Sequence, residues 1–159
     1  MIVKGIIFED TVNYKKTSMT IEMPYCSFKC DTECGKQVCQ NGTLATSPNI
    51  HVYIPDIIDR YINNPITEAI VFQGLEPLDS FDELLMFIIL LRNSKQCMDD
   101  VVIYTGYKEE EVRGKINDLK KFPNIIIKFG RYIPGQESHI DPLLGVNLAS
   151  DNQYAKRIS

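Results

Sequence analysis

Between Thr17 and Met23 the chain alternates polar and apolar residues, several of them β-branched (TSMTIEM), which is the period-two pattern of a strand. The strand runs directly into Pro24-Tyr25-Cys26. Residues 26–49 then lose all periodicity and collect Gly, Asn, Ser, Thr and Pro, so the pattern predicts a loop, and a loop of that length usually carries function. Ile54, Ile57, Ile58, Tyr61 and Ile62 return at helical spacing, with Pro55 tolerated in the first turn and Asn63-Asn64-Pro65 as the stop. Glu68 to Phe72 reads as a short buried strand that ends at Gln73-Gly74-Leu75-Glu76-Pro77. Ser80-Phe81-Asp82-Glu83 has the spacing of a capping box and precedes a largely buried apolar helix. Asp100 to Tyr104 is the next strand, ending at Thr105-Gly106-Tyr107. Glu109, Glu110 and Glu111 open a further helix with Val112, Ile116 and Leu119 inward and Lys120 and Lys121 in its last turn, an order that complements the helix dipole. Asn124 to Phe129 predicts a fourth strand, ending at Gly130-Arg131-Tyr132, and residues 130–159, with Pro134, Gly135, Pro142 and Gly145, predict an irregular tail.

Strands alternating with helices pair in parallel through right-handed crossovers. The expected fold is therefore α/β: a small, partial (β/α) barrel-like parallel sheet, one domain over residues 1–159, with the cysteine loop after its first core strand. Parallel strands end on a common edge, which is where such folds place their sites. The cysteine loop and the turns 74–77, 105–107 and 130–132 should then converge there.

Composition narrows the classes. At 159 residues, 44% hydrophobic and 24% charged, the chain is globular and suits one domain. A net charge of −4 argues against nucleic acid as a partner, because phosphate binding needs a dense positive face. The longest apolar run, Leu84 to Leu91, is far short of a bilayer span, and the first ten residues lack the pattern of a signal peptide. The expectation is a cytoplasmic protein with no membrane segment. Of five cysteines, Cys26, Cys30, Cys34 and Cys39 fall within fourteen residues and Cys97 stands apart, read as a small packed side chain. Clustered thiols in a reducing compartment point to metal or redox chemistry. A structural zinc loop favours separated C-x2-4-C pairs, whereas ligands bunched in one segment favour an iron–sulfur cluster. His51 and His139 read as solvated or core-edge residues.

Ligand number decides the chemistry of such a cluster. Three thiolates leave one iron open to a molecule bearing an amine and a carboxylate, while four close it. Gly74-Leu75-Glu76-Pro77 suits a ligand-facing turn, since glycine permits close approach and the residue before proline is held extended. Tyr104, Thr105, Gly106, Tyr107, Arg131 and Asn152 are further candidates on the same edge or in the tail.

Cys26-Ser27-Phe28-Lys29-Cys30 after a strand resembles the opening of the radical S-adenosylmethionine (SAM) motif, C-x3-C-x2-C, and Gly74-Leu75-Glu76-Pro77 resembles that superfamily's GGEP turn, which contacts the SAM amino group. Asp10-Thr11-Val12-Asn13, Cys39-Gln40-Asn41, Ile103-Tyr104-Thr105-Gly106-Tyr107, Lys128-Phe129-Gly130-Arg131-Tyr132 and Ala149-Ser150-Asp151-Asn152-Gln153 resemble segments of the activating proteins of anaerobic ribonucleoside-triphosphate reductases. The chain departs from the motif at Glu33, where the third cysteine would stand, so the third ligand is Cys34 or Cys39. Asn41 favours Cys39, and Asp31 to Val38 then reads as an insertion. The resemblance implies a [4Fe-4S] cluster on Cys26, Cys30 and Cys39, and SAM bound by Gly74, Glu76, Pro77, Tyr104, Thr105, Gly106, Tyr107, Arg131 and Asn152. It further implies one-electron cleavage of SAM and hydrogen abstraction from a backbone glycine of anaerobic ribonucleotide reductase or another glycyl-radical enzyme, with an electron donor such as flavodoxin. The other readings are a zinc or closed-cluster interaction module, and a radical SAM enzyme acting on a peptide or small molecule.

Overall fold

The four strands expected from the sequence form the centre of one sheet, and their near-continuous apolar runs are what burial on both faces demands. The computed structural model describes residues 1–159. In chain order the elements are β1 (Ile2–Val3), β2 (Gly5–Asp10), β3 (Ser18–Met23), α1 (Lys29–Cys34), α2 (Gly42–Thr46), β4 (Ile50–His51), α3 (Ile54–Ile62), β5 (Ala69–Gly74) and α4 (Phe81–Ile89). There follow β6 (Asp100–Tyr104), α5 (Arg113–Leu119), β7 (Ile125–Phe129), β8 (His139–Asp141), β9 (Val146–Leu148) and β10 (Tyr154–Arg157). The main sheet runs β10-β7-β6-β5-β3-β2. Its inner pairs are parallel, with Ser18 opposite Ala69, Ala69 opposite Asp100 and Val101 opposite Ile125, and its outer pairs β2–β3 and β10–β7 are antiparallel.

Alternation along the strands divides the core. Ile21, Phe72, Ile103 and Ile127 pack with Ile58, Leu84, Phe87 and Leu119 of α3, α4 and α5 in one cluster, where Phe72 and Phe87 meet edge to face at 5.2 Å. On the opposite face Val71, Val102 and Ile126 pack under Tyr14, Leu144 and Leu148. The C-terminal segment is thus the cover of the sheet's second face. No helix is long and apolar enough to cross a membrane.

Four expectations change. The helix expected to open at Glu109 runs only from Arg113 to Leu119, with Glu109–Glu111 forming a separate 3-10 turn before it and Lys120 and Lys121 lying beyond its end. The tail is not irregular throughout, since β8 and β9 form a hairpin and β10 extends the sheet. Edge strands can be polar, and Tyr-Ala-Lys-Arg is held partly by ion pairs of Lys156 to Glu109 and Arg157 to Asp100, which an apolar pattern does not announce. The cysteine loop contains two short helices, α1 and α2. The capping box at Ser80 does not form: the chain enters α4 from a 3-10 turn, Pro77–Ser80, that leaves Ser80 at φ −115°, ψ 42° instead of in an extended conformation. Ser80 Oγ is buried without a partner, and Glu83 accepts instead from Ile2 N at 3.1 and 3.3 Å. In urea unfolding, Ser80→Ala should therefore fall within about 0.5 kcal/mol of wild type or above it, whereas a working cap would lose about 1 kcal/mol.

Candidate functional site

The C-terminal ends of β3, β5, β6 and β7 open into a cleft of about 400 Å³, the volume of a small-ligand site. Cys26, Cys30 and Cys39 line it together with Gly74, Leu75 and Glu76, Tyr104 to Tyr107, and Gly130 to Tyr132, so the turns expected to converge do so. Glu22, Gln73, Tyr104 and Lys128, at or near the last rung of the four parallel strands, also line it. Cys34, Pro77 and Asn152 do not line the cleft. Pro77 opens the 3-10 turn, and Asn152 supports the 130–131 turn by donating from Nδ2 to Arg131 O at 2.8 Å.

The cysteine loop is held by hydrogen bonds from the strand ends. Glu76 N donates to Tyr25 O at 2.7 Å, and Ser27 N to the Asp79 carboxylate at 2.8 Å. Asn41 Nδ2 donates to Gly74 O at 2.6 Å, tying the segment after Cys39 to the turn after β5. Gly74 must be glycine, because at φ +92° a Cβ would lie 2.9 Å from Met23 N. Gly130 is similarly confined, at φ +100° with Asn152 O 3.0 Å from a Cβ position. Leu75, which replaces the second glycine of the GGEP pattern, donates its N–H to Met23 O at 3.3 Å.

Glu76, 4% exposed, accepts from Leu78 N at 3.0 Å, Thr105 Oγ1 at 2.8 Å and Gly106 N at 2.8 Å. Burial nonetheless pushes its carboxyl up to about 7 against those three donors. Lys128 is also deeply buried, with Nζ donating to Gly130 O at 2.9 Å, and burial lowers its ammonium to about 8 while the Glu76 charge works the other way. Arg131, expected to meet a ligand, is engaged bidentately by Glu111 at 2.7 and 2.8 Å and approaches Glu33 at 3.4 Å. The guanidinium in turn holds the Glu111 carboxyl down at about 2. The Tyr104 hydroxyl donates to Asn13 O at 2.5 Å and the Tyr107 hydroxyl to Asp79 at 2.6 Å, so both hydroxyls are already engaged within the protein. Burial raises the thiols of Cys26 and Cys30 to about 11. Asp31, Asp79, Gln73, Glu22 and Lys128 were absent from the sequence candidates. Lys128 had a signal, a charge inside the run Ile-Ile-Ile-Lys-Phe; the others had none.

No three His, Cys, Asp or Glu side chains converge as around one metal ion. A zinc site gathers its ligands at about 2.0–2.3 Å from a single centre. A four-iron cluster instead gives each thiolate its own iron, so its ligands need not converge on one point. Three cysteine thiols share one cleft at the edge of the α/β sheet. Residues 16–153 match the family described as 4Fe-4S single cluster domain, and the chain belongs to that family. No curated protein and no solved structure gives a significant match.

Lys128 supplies a test of the cleft floor. Between its folded value of about 8 and the ordinary 10.5, the unfolded chain binds the extra proton, so this residue's effect on stability is adverse below about pH 8 and fades as pH rises. Lys128→Met should be the more stable protein at pH 7 in denaturant titrations, by an excess that vanishes towards pH 10.5. An excess that does not change with pH would contradict the burial of a charged ammonium.

Proposed function

We propose that the chain is a radical SAM activase that uses its [4Fe-4S] cluster to install a glycyl radical on a partner enzyme, anaerobic ribonucleotide reductase by resemblance. The observation that carries this reading is the company Cys26, Cys30 and Cys39 keep in one cleft: Gly74 to Glu76 and Thr105 to Tyr107 line it with them, and Cys34 does not. A loop that merely held a structural metal would need no such turns on the neighbouring strands.

When bound, the cluster supplies the electron that cleaves the sulfonium bond of SAM. The protein's part is positional. Cys26, Cys30 and Cys39 would hold the cluster, and a set of three thiolates would leave it open to the amine and carboxylate of SAM. Glu76 binds Leu78, Thr105 and Gly106 together, which braces the Gly74–Leu75 backbone against the ligand. Lys128 places a positive charge at the cleft for an anionic group of the ligand, with Tyr104, Gly106 and Tyr107 lining the cleft beside it. Leu144 and Leu148 cover the second face of the sheet, which on this reading is a segment of a barrel closed by its own tail and kept dry. A flavodoxin-type donor and a cytoplasmic setting complete the proposal.

Anaerobic reconstitution with iron and sulfide, followed by SAM and dithionite, tests it. Wild type and Cys34→Ser should release 5′-deoxyadenosine, and Cys26→Ser, Cys30→Ser and Cys39→Ser should release none. Tight zinc retention without SAM cleavage would instead establish a non-catalytic metal module.

A further inference from the structure

We propose that Asp31 is a positioning residue for the cluster: it folds the inserted segment so that Cys39 returns to Cys30, and its charge beside Cys30 makes the cluster harder to reduce. The inference rests on the ligand set Cys26, Cys30 and Cys39 proposed above. Eight residues separate Cys30 from Cys39, and a fully extended chain between the two would reach about 30 Å, far beyond the span of one cluster. The structure takes up this length in three steps. Helix α1 winds residues 29–34, Gly35 reverses the chain at φ +64° with its N–H on Thr32 O at 3.3 Å, and the Asp31 carboxylate then gathers the returning strand. One oxygen, Oδ1, accepts from Val38 N at 2.7 Å and from Cys39 N at 2.8 Å. The backbone of Cys39 is thereby tied to the residue that follows Cys30, and Cys34 is left outside the cleft. Glu33, two residues on from Asp31, anchors the same helix to Arg131 at the end of β7.

The same oxygen lies 3.8 Å from Cys30 Sγ. Its partners are two amides and this thiol, and no lysine or arginine pairs with it. A carboxylate beside a ligand sulfur opposes the arrival of an electron, and nearby charge is one of the terms that set cluster potential. The two roles separate chemically. Asparagine keeps the carbonyl acceptor and loses the charge, whereas alanine loses both.

The test uses full-length wild type, Asp31→Asn, Asp31→Ala and Cys39→Ser, reconstituted anaerobically. Iron and sulfide per chain, retention of iron under a chelator and the reduction midpoint are measured, with melting of the apo-proteins as the folding control. Asp31→Ala should lose iron to the chelator about tenfold faster, the size of effect seen when an outer-shell partner is removed. Asp31→Asn should keep its iron and shift the midpoint to a less negative value. Should Asp31→Ala fail to fold, the Asp31→Asn midpoint still decides the charge. Wild-type iron retention and midpoint in both Asp31 variants, with iron lost from Cys39→Ser, would overturn the role of Asp31. Wild-type iron in Cys39→Ser would overturn the ligand set itself.

Discussion

Parallel, in-register pairing of β3, β5, β6 and β7 is the constraint from which the site follows. Because Met23 lies opposite Gly74, and Tyr104 opposite Lys128, the last residues of four separate strands are delivered to one edge. The chain then has only to place chemistry in the turns that leave those strands. It does so with a thiol loop after β3, a glycine turn after β5, a Thr-Gly-Tyr turn after β6 and a glycine turn after β7. Each turn is also tied to another. Glu76 reaches the β6 turn, Asn41 reaches the β5 turn, and Arg131 reaches both Glu111, just ahead of α5, and the inserted segment of the cysteine loop. A cluster held by that loop is therefore fixed relative to the whole edge rather than to β3 alone.

The polar groups of the edge oppose stability. Glu76 and Lys128 are buried with their ionised forms disfavoured, and Ser80 is buried without a partner. The apolar face beneath α3, α4 and α5 offsets this, with Phe72, Phe87, Leu84 and Ile103 fully buried. That division is the expected arrangement when a rigid core supports a site whose side chains are chosen for chemistry.

What the sequence disclosed follows the strength of each physical signal. The four core strands and α3 were legible because burial on both faces, or one apolar stripe, leaves a run or a period; Asp100 to Tyr104 and Ile54 to Ile62 match the structure residue for residue. The edges β2 and β10 were not, since an edge strand can carry Glu9, Asp10, Lys156 and Arg157 and still pair. Ser80 and Glu83 show how a motif of correct spacing fails when the backbone enters the helix through a tight turn. Convergence of the turns was legible from topology alone. Which side chains remain free at that edge was not: Arg131 is taken by Glu111, and Asp31 carries no pattern that marks it as the residue returning Cys39 to the cleft.

The central claim is that three thiolates from a single loop grip the inorganic core and leave one iron without a protein ligand. Mössbauer spectra of the ⁵⁷Fe-reconstituted protein, recorded with and without SAM, examine it directly. The account predicts one iron site that is distinct from the other three and whose spectrum alone changes when SAM is added. Four equivalent irons, indifferent to SAM, would contradict it.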